Sequence, residues 1–563
     1  MPERIVEIEG LSFRYRRATE PALIDLSLTI DAGEILLVAG PSGCGKSTLI
    51  RAINGLIPHA YPGELTGTVL VGGRPTTEQK LREIARSVGT LLQDPARQIV
   101  GATVEAEMAF GPENLGMDRA EMWRRIREVS ATAGIEGLLG RETANLSGGE
   151  RQLLAMAGIL MLQPRLFVVD EPLANLDPLT AARLLATLRH LADEGHAVVI
   201  VEHRVEEALD LRPDRVLYLD EGRTRYLGDV DGFLQVADPS AVKLPFEVVL
   251  DRYRRDGAPK GARVAPTANE PDDSNRPPRL EFRDVRAGWG DREVLHGVSA
   301  KLGAREIVAV LGPNGSGKTT LLRTAMGLTP TRGGDVLVDG SSIAGRTVSS
   351  LATTFGFVFQ SPSQMLFAKT VREELEFGPR NLKRPATALE GIVSAALRRT
   401  SLDTLEDVLE RPPLTLSFGQ QKRLALAIAL ALEPKTLILD EPSAGQDHRT
   451  ASAFMHEVMT IPGLDSIYLV THDVDLALAH ASRILLFRDG EIVADGPPGT
   501  VIEDEDRWSS CNLRRTSLIR ANAQWRAPEE GFLDTESLAR HVLSRDGATG
   551  GPAWKGGSSV GAH

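Results

Sequence analysis

The chain has 563 residues, 42% of them hydrophobic, so it is long enough for several packed cores and has an ordinary globular composition. Its 64 Lys and Arg against 76 Asp and Glu leave a formal charge of −12, which argues against a surface built for nucleic acid or ribosomes. Two cysteines, Cys44 and Cys511, cannot make a disulfide framework and fit a reduced, cytosolic protein.

Met1-Pro2-Glu3-Arg4-Ile5 has neither the basic region nor the apolar stretch of a secretory signal. Tyr15 lies upstream of an apolar strand over 35–39, where a ring either stacks on a nucleobase or packs into the sheet. Gly40-Pro41-Ser42-Gly43-Cys44-Gly45-Lys46-Ser47 follows, with Thr48 beside it, and fits the spacing G-x-x-x-x-G-K-[ST]. Its glycines let the backbone curl until successive N–H groups converge on phosphate oxygens. The helix that starts near Lys46 adds its positive end, Lys46 reaches the β- and γ-phosphates, and Ser47 offers a hydroxyl to Mg²⁺. Further on, Leu146-Ser147-Gly148-Gly149-Glu150 precedes a helical run. A serine at a helix start, with free N–H groups and the helix dipole behind it, attracts an anion and makes a second phosphate-binding end. The apolar strand beginning at Leu166 ends in Asp170-Glu171. Two carboxylates there are costly without partners. A nucleotide-bound Mg²⁺ supplies one for Asp170, and Glu171 can polarise the attacking water.

All of this recurs about 270 residues later in the same order. Trp289 precedes a strand over 307–311, followed by Gly312-Pro313-Asn314-Gly315-Ser316-Gly317-Lys318-Thr319 and Thr320. Gln93 reappears as Gln360, Ser147 and Gly149 as Ser417 and Gly419, Asp170-Glu171 as Asp440-Glu441, and His203 as His472. Each half mixes short apolar strands with helical patterns, as an α/β unit with a buried parallel sheet does. The expected division is 1–240 for the first unit and 279–500 for the second. Between them, 241–278 holds a helix over 245–255 and then a Pro/Gly-rich flexible linker. An extension follows over 501–563, disordered from Gly547 onward. The longest apolar runs, 153–162 and 424–432, fall short of the roughly 18 residues that a spanning helix needs.

On these motifs the sequence resembles the ATP-binding cassette (ABC) ATPases over nearly all of 3–500. The resemblance implies two tandem P-loop NTPase domains, each with a RecA-like core and a helical subdomain, that bind ATP and Mg²⁺. It implies that Ser47, Gln93 and Asp170, with Thr319, Gln360 and Asp440, face the metal. Glu171 and His203, with Glu441 and His472, would carry the hydrolysis. The halves would pair head to tail, so that Ser417 meets the ATP of Lys46 and Ser147 that of Lys318. Phe418 departs from the family's usual glycine.

Gln93-Asp94-Pro95-Ala96-Arg97-Gln98-Ile99-Val100-Gly101-Ala102-Thr103-Val104, continuing to Phe110-Gly111-Pro112-Glu113-Asn114-Leu115, resembles the ATPases of energy-coupling factor (ECF) importers. Gln360 to Gln364 and Phe377-Gly378-Pro379-Arg380-Asn381-Leu382 follow the same pattern more loosely, and Gly55-Leu56-Ile57-Pro58-His59 is also similar to that group. This implies an ATPase for a vitamin, a vitamin precursor or cobalt/nickel ions. It would sit on the cytoplasmic face of the membrane with an integral coupling protein and a substrate-capturing membrane protein. A fused ATPase for sugars or peptides is an alternative, and so is a soluble twin-cassette ATPase acting on ribosomes or DNA. The acidic composition and short Pro-rich linker weigh against the second. Ile99, Val100, Val104, Met108 and Phe110 form an apolar stretch next to Gln93; some of them pack inside the helical lobe, and part of 93–115 with part of 360–382 is expected to form a groove for helices of the membrane partner.

Overall fold

The computed structural model describes residues 3–174, 176–257, 278–526 and 531–549. Both halves repeat one plan. In the first, Leu23–Asp31, Arg4–Tyr15, Gly63–Val71 and Arg74–Pro75 form a four-stranded antiparallel sheet in that order. Behind it lies a six-stranded sheet in the order Arg223–Gly228, Arg215–Asp220, Ile35–Ala39, Ala197–Val201, Leu166–Asp170, Val88–Leu91. Only its Arg223–Gly228 edge is antiparallel. The central strands are Val/Ile/Leu-rich and buried along their length, as strands covered on both faces must be. Their carboxyl ends all open on one edge, where ligands collect in sheets of this kind. The second half repeats both sheets, with Ile307–Leu311 between Ser466–Val470 and Arg483–Arg488.

A helical lobe is inserted before the Leu166–Asp170 strand: Val104–Asn114, Arg119–Thr132 and Gly148–Leu160, packed around Val104, Met108, Ile126 and Leu154. Val371–Asn381, Ala386–Arg399 and Phe418–Leu430 do the same in the second half around Val371, Leu375, Val393 and Leu424.

The helix expected over 245–255 is Phe246–Asp256, one residue on, and it is shared between the halves. Val249 packs into the core of the first, whereas Phe246 and Leu250 join the core of the second. The extension is largely folded. Pro498–Glu503, Glu505–Ser510, Ser517–Trp525 and Thr535–Thr549 are helices whose Trp508, Ile519, Leu538 and Val542 enter the same core as Phe246. Ser517 Oγ accepts from Phe246 N at 2.8 Å, and Ser517 N donates to Glu206 Oε1 at 2.7 Å. Ion pairs Arg514–Asp210 and Lys243–Asp475 close the same seam. The expected flexible linker lies almost wholly outside the described residues, as do 550–563; the preceding 547–549, expected to be disordered, instead close the helix Thr535–Thr549, which carries the packed Leu538 and Val542. Among the described residues no helix is long and apolar enough to cross a membrane.

Candidate functional site: two composite nucleotide sites

Each glycine-rich loop joins the central strand to a helix, Lys46–Ile53 in the first half and Lys318–Ala325 in the second. Gly43 and Gly45, with Gly315 and Gly317, all take positive φ, which turns the loop's N–H groups toward a common point. The two lysines are buried, and each Nζ donates to two carbonyls of its own loop at 2.8 Å: Gly40 and Pro41, Gly312 and Pro313. Burial pushes the Cys44 thiol up, against the pull of Lys46, so this cysteine is a packing residue rather than a thiolate.

Asp170 and Asp440 close the neighbouring strand. Ser47 Oγ donates to Asp170 Oδ2 at 3.4 Å and Thr319 Oγ1 to Asp440 Oδ1 at 3.0 Å. Burial, then the adjacent Glu171 or Glu441, raises each aspartate to about 6. Asp170 Oδ1 is buried and without a hydrogen-bond partner. No cluster of three or more His, Cys, Asp and Glu among the described residues forms a complete metal cage. A hydroxyl and one under-satisfied carboxylate therefore fit Mg²⁺ that takes its remaining ligands from phosphate and water. These residues fit a magnesium nucleotide.

Glu171 and Glu441 both hold left-handed backbone, φ 49° and 48°, a costly conformation for a non-glycine residue. His203 Nε2 lies 2.9 Å from Glu171 Oε1, and His472 Nδ1 lies 2.9 Å from Glu441 Oε2. Burial alone would raise these glutamates, but hydrogen bonds and charge from the histidine, with Lys46 or Lys318, hold them below the usual value. Gln93 Nε2 donates to Glu171 Oε2 at 2.5 Å.

Ser147 and Ser417 are N-caps of their helices in complete capping boxes with Glu150 and Gln420. Residues near them approach the opposite half. A Cβ built on Gly149 would lie 3.7 Å from Asn314 Nδ2, and one on Gly445 would lie 3.6 Å from Gln93 Nε2 and 3.2 Å from the Phe418 ring. Ser42 N donates across the seam to Asp447 Oδ2 at 2.8 Å, and Asp177 adds its charge to those around Lys318. Phe418 thus stands beside the loop that reaches the Lys46 site. Its position on a glycine site is accommodated by exposure and by Lys422, whose Nζ lies 5.5 Å from the ring.

The two aromatics differ. Trp289 is 47% exposed. Tyr15 is half-buried, edge-on to Phe13 and Tyr61, and its hydroxyl bonds Thr48 Oγ1 at 3.1 Å and Arg51 Nη1 at 2.7 Å. Next to Gln93, Val104 and Met108 are core residues, whereas Val100, Ala102 and Phe110 are exposed. Several residues at this edge were not singled out by motif reasoning. Glu202 and Arg204 flank His203, and the buried Glu107 and Glu374 tie down the loops after Gln93 and Gln360. Glu202 follows an apolar strand as Glu171 does, which was the available signal.

A fold with two phosphate loops, each approached by residues of the opposite half, defines a twin-cassette P-loop nucleotide-binding protein. The family model described as ABC transporter matches residues 23–174 and 295–444. A protein of Methanosarcina acetivorans provisionally named as an ABC transporter ATP-binding protein is 33% identical over 545 residues, 90% of this chain and 88% of that one. A similarly named protein of Enterococcus faecalis is 33% identical over 544 residues, 92% and 95% of the two chains. Among solved structures, cbiO1 from Clostridium perfringens, described as part of the ABC transporter complex cbiONQ, is 32% identical. It covers 42% of this chain and 96% of that one, with a TM-score of 0.37. The chain belongs to the ABC transporter family, as an ATP-binding protein. Membership in the family carries ATP hydrolysis with it.

Proposed function

We propose that the chain is the complete ATP-hydrolysing motor of an importer of the ECF type, for a vitamin, a vitamin precursor or cobalt/nickel ions. Ser47 and Thr319, Asp170 and Asp440, and Gln93 and Gln360 face Mg²⁺. Glu171 and Glu441 orient the attacking water, and His203 and His472 hold those glutamates while facing the γ-phosphate. The family's head-to-tail arrangement assigns Ser417 and Gly419 to the Lys46 nucleotide, and Ser147 and Gly149 to the Lys318 nucleotide. Tyr15 and Trp289 sit at the adenine end. Bound magnesium supplies charge neutralisation for the transferred phosphoryl group.

One observation carries the membrane-coupled reading. In each half the loop after the candidate metal-sensing glutamine holds a large apolar side chain out in solvent, Val100 at 64% and Phe367 at 66% exposure. A second follows on the next helix, Phe110 and Phe377, both at 51%. Such display is expensive unless a partner covers it. The loops are also held in shape for it: Glu107 Oε2 accepts from Val100 N and Gly101 N at 2.8 and 2.7 Å, and Glu374 Oε1 accepts from Phe367 N and Ala368 N. A rigid apolar surface joined to Gln93 is fit to pass nucleotide-driven closure to a docked helix of an integral coupling protein at the cytoplasmic face. The −12 charge gives no support to a nucleic-acid partner. Val100→Asp or Ala102→Asp is expected to leave ATPase activity in solution intact while abolishing co-sedimentation with membranes and uptake. Variants that still sediment with membranes and support transport refute the docking surface.

A further inference from the structure

The two switch loops, 202–204 and 471–473, occupy equivalent places but are wired differently. In the first half Glu202 is buried. Its Oε2 accepts from His203 N and Arg204 N at 2.9 and 3.2 Å, and its Oε1 accepts from Leu173 N at 2.7 Å. Arg204 Nη1 then donates to Leu173 O at 2.6 Å and Leu176 O at 3.3 Å. Glu207 fixes the guanidinium from behind through Nε at 2.8 Å. So a carboxylate and an arginine hold Leu173 and Leu176, which lead to Asp177, the residue whose charge reaches Lys318 of the other site.

The second switch loop is tied instead to its own glutamate, His472 N donating to Glu441 Oε2 at 3.2 Å, and among the described residues no buried carboxylate stands where Glu202 does. Thr471 Oγ1 accepts from Asp473 N, and Asp473 Oδ1 caps the following helix at Leu476 N. These two bonds stay inside 471–476, and the His472 bond reaches Glu441 rather than loop 443–447. The matching loop 443–447 is held from its own signature helix instead, by Lys422 Nζ donating to Pro442 O and Ala444 O at 2.7 Å. Among the described residues, no hydrogen bond joins Thr471 or Asp473 to Ser443–Asp447.

We infer that Glu202 and Arg204 are positioning residues for the Lys318 site: they transmit the placement of His203 at the Lys46 site to the loop ending at Asp177. Hydrolysis at the Lys318 site then depends on the state of the Lys46 site more strongly than the reverse. Reciprocity binds nucleotide affinities, so the asymmetry is one of turnover rates. The inference rests on the reading that both sites hydrolyse ATP through Glu171 and Glu441.

The test reads each site alone. Glu171→Gln leaves the Lys318 site turning over, and Glu441→Gln leaves the Lys46 site. In the first background, Arg204→Ala is expected to lower kcat about tenfold with the KM for ATP little changed, within the usual range for residues that couple sites without touching ligand. In the second background the loss is smaller. Arg204→Lys, which keeps the charge but has one nitrogen in place of the two that bind Glu207 and the carbonyls together, falls between. Glu202→Gln, with one acceptor oxygen in place of two, gives the same site preference and serves if Arg204→Ala does not fold. Equal losses at both sites, or a loss confined to the Lys46 site, overturn the inference, since a merely local role for Arg204 would strike its own His203 first. A Glu171→Gln, Glu441→Gln double variant that still turns over ATP overturns the ATPase assignment instead, before Arg204 is touched.

Discussion

Asp447 offers the most direct way to break one site and spare the other. It is buried, accepting from Ser42 N across the seam through Oδ2 at 2.8 Å and from Thr450 N through Oδ1 at 2.7 Å. Burial works to raise its carboxyl, yet the bonds to Ser42 and Thr450 pull it down to about 2. Against the ordinary 3.8 that is roughly 2 kcal/mol in favour of the charged, seam-spanning form. A hydrogen bond to a charged group is independently worth about 1.5–3 kcal/mol. Asparagine has one acceptor oxygen, so Asp447→Asn must give up either Ser42 or the helix cap, and it turns an amide donor toward the N–H it abandons. With Glu441→Gln silencing the Lys318 site, the KM for ATP at the Lys46 site should rise on the order of tenfold or more. With Glu171→Gln, the Lys318 site should change less than about twofold. Asp447→Ala should add the lost cap, about 1 kcal/mol, seen as a lower melting temperature. If the Lys46 site keeps its KM while the Lys318 site loses it, loop 443–447 does not serve the nucleotide held by Lys46, and the cross-paired geometry fails.

Other outcomes can be checked alongside. Changing both Glu171 and Glu441 to Gln should preserve ATP binding, measured by equilibrium titration, while turnover falls about 10²–10⁴-fold; a double variant with most of its rate would exclude them as the water-orienting groups. Ser417→Arg combined with Lys46→Ala should cost little more than the worse single change, because both damage one site, whereas Ser417→Arg with Lys318→Ala should silence both; the reverse pattern would mean each half closes on its own signature. Lys422 is buried, and desolvation lowers its amine from 10.5 to about 7. The unfolded chain therefore binds the extra proton between about 7 and 10.5, so this group's contribution makes stability rise with pH across that window, by up to about 1.4 kcal/mol per unit. Lys422→Gln, which copies Gln152 of the first half, should flatten that rise in denaturant midpoints recorded from pH 7 to 9.5; an unchanged slope would show that the amine stays charged.

Where sequence and structure agree, a local rule was enough. The strand before each phosphate loop, the acid pair ending Leu166–Asp170 and Thr436–Asp440, and serine at two helix starts follow from periodicity, burial and capping. Long-range matters were not legible in this way. Which of Ile99, Val100, Val104, Met108 and Phe110 pack inside the lobe and which face a partner stays open in the sequence, because an apolar residue near a functional loop looks alike either way; only tertiary packing decides, placing Val104 and Met108 inside. Tyr15 shows the same limit, its hydroxyl taken by Thr48 and Arg51. The extension after residue 500 carries no repeat or motif, and its helices find their role only against Phe246 and Leu250 from far away in sequence. Glu202 and Arg204 were missed because their partners are backbone atoms of Leu173 and Leu176, which no residue pattern records.

The shared helix Phe246–Asp256, rooted in both cores and bolted by Ser517, has a consequence for how such a chain can diverge. Two separate ATPases that meet in solution must recognise each other and refuse their own copies, and each sequence is constrained by every pairing it must avoid. Here the partner is supplied covalently, at an effective concentration on the order of millimolar. Neither half can be displaced by a duplicate of the other at ordinary protein levels. A one-sided change such as Phe418, or a clamp such as Glu202 with Arg204, needs to suit a single opposing surface and no other. Each half is free to specialise.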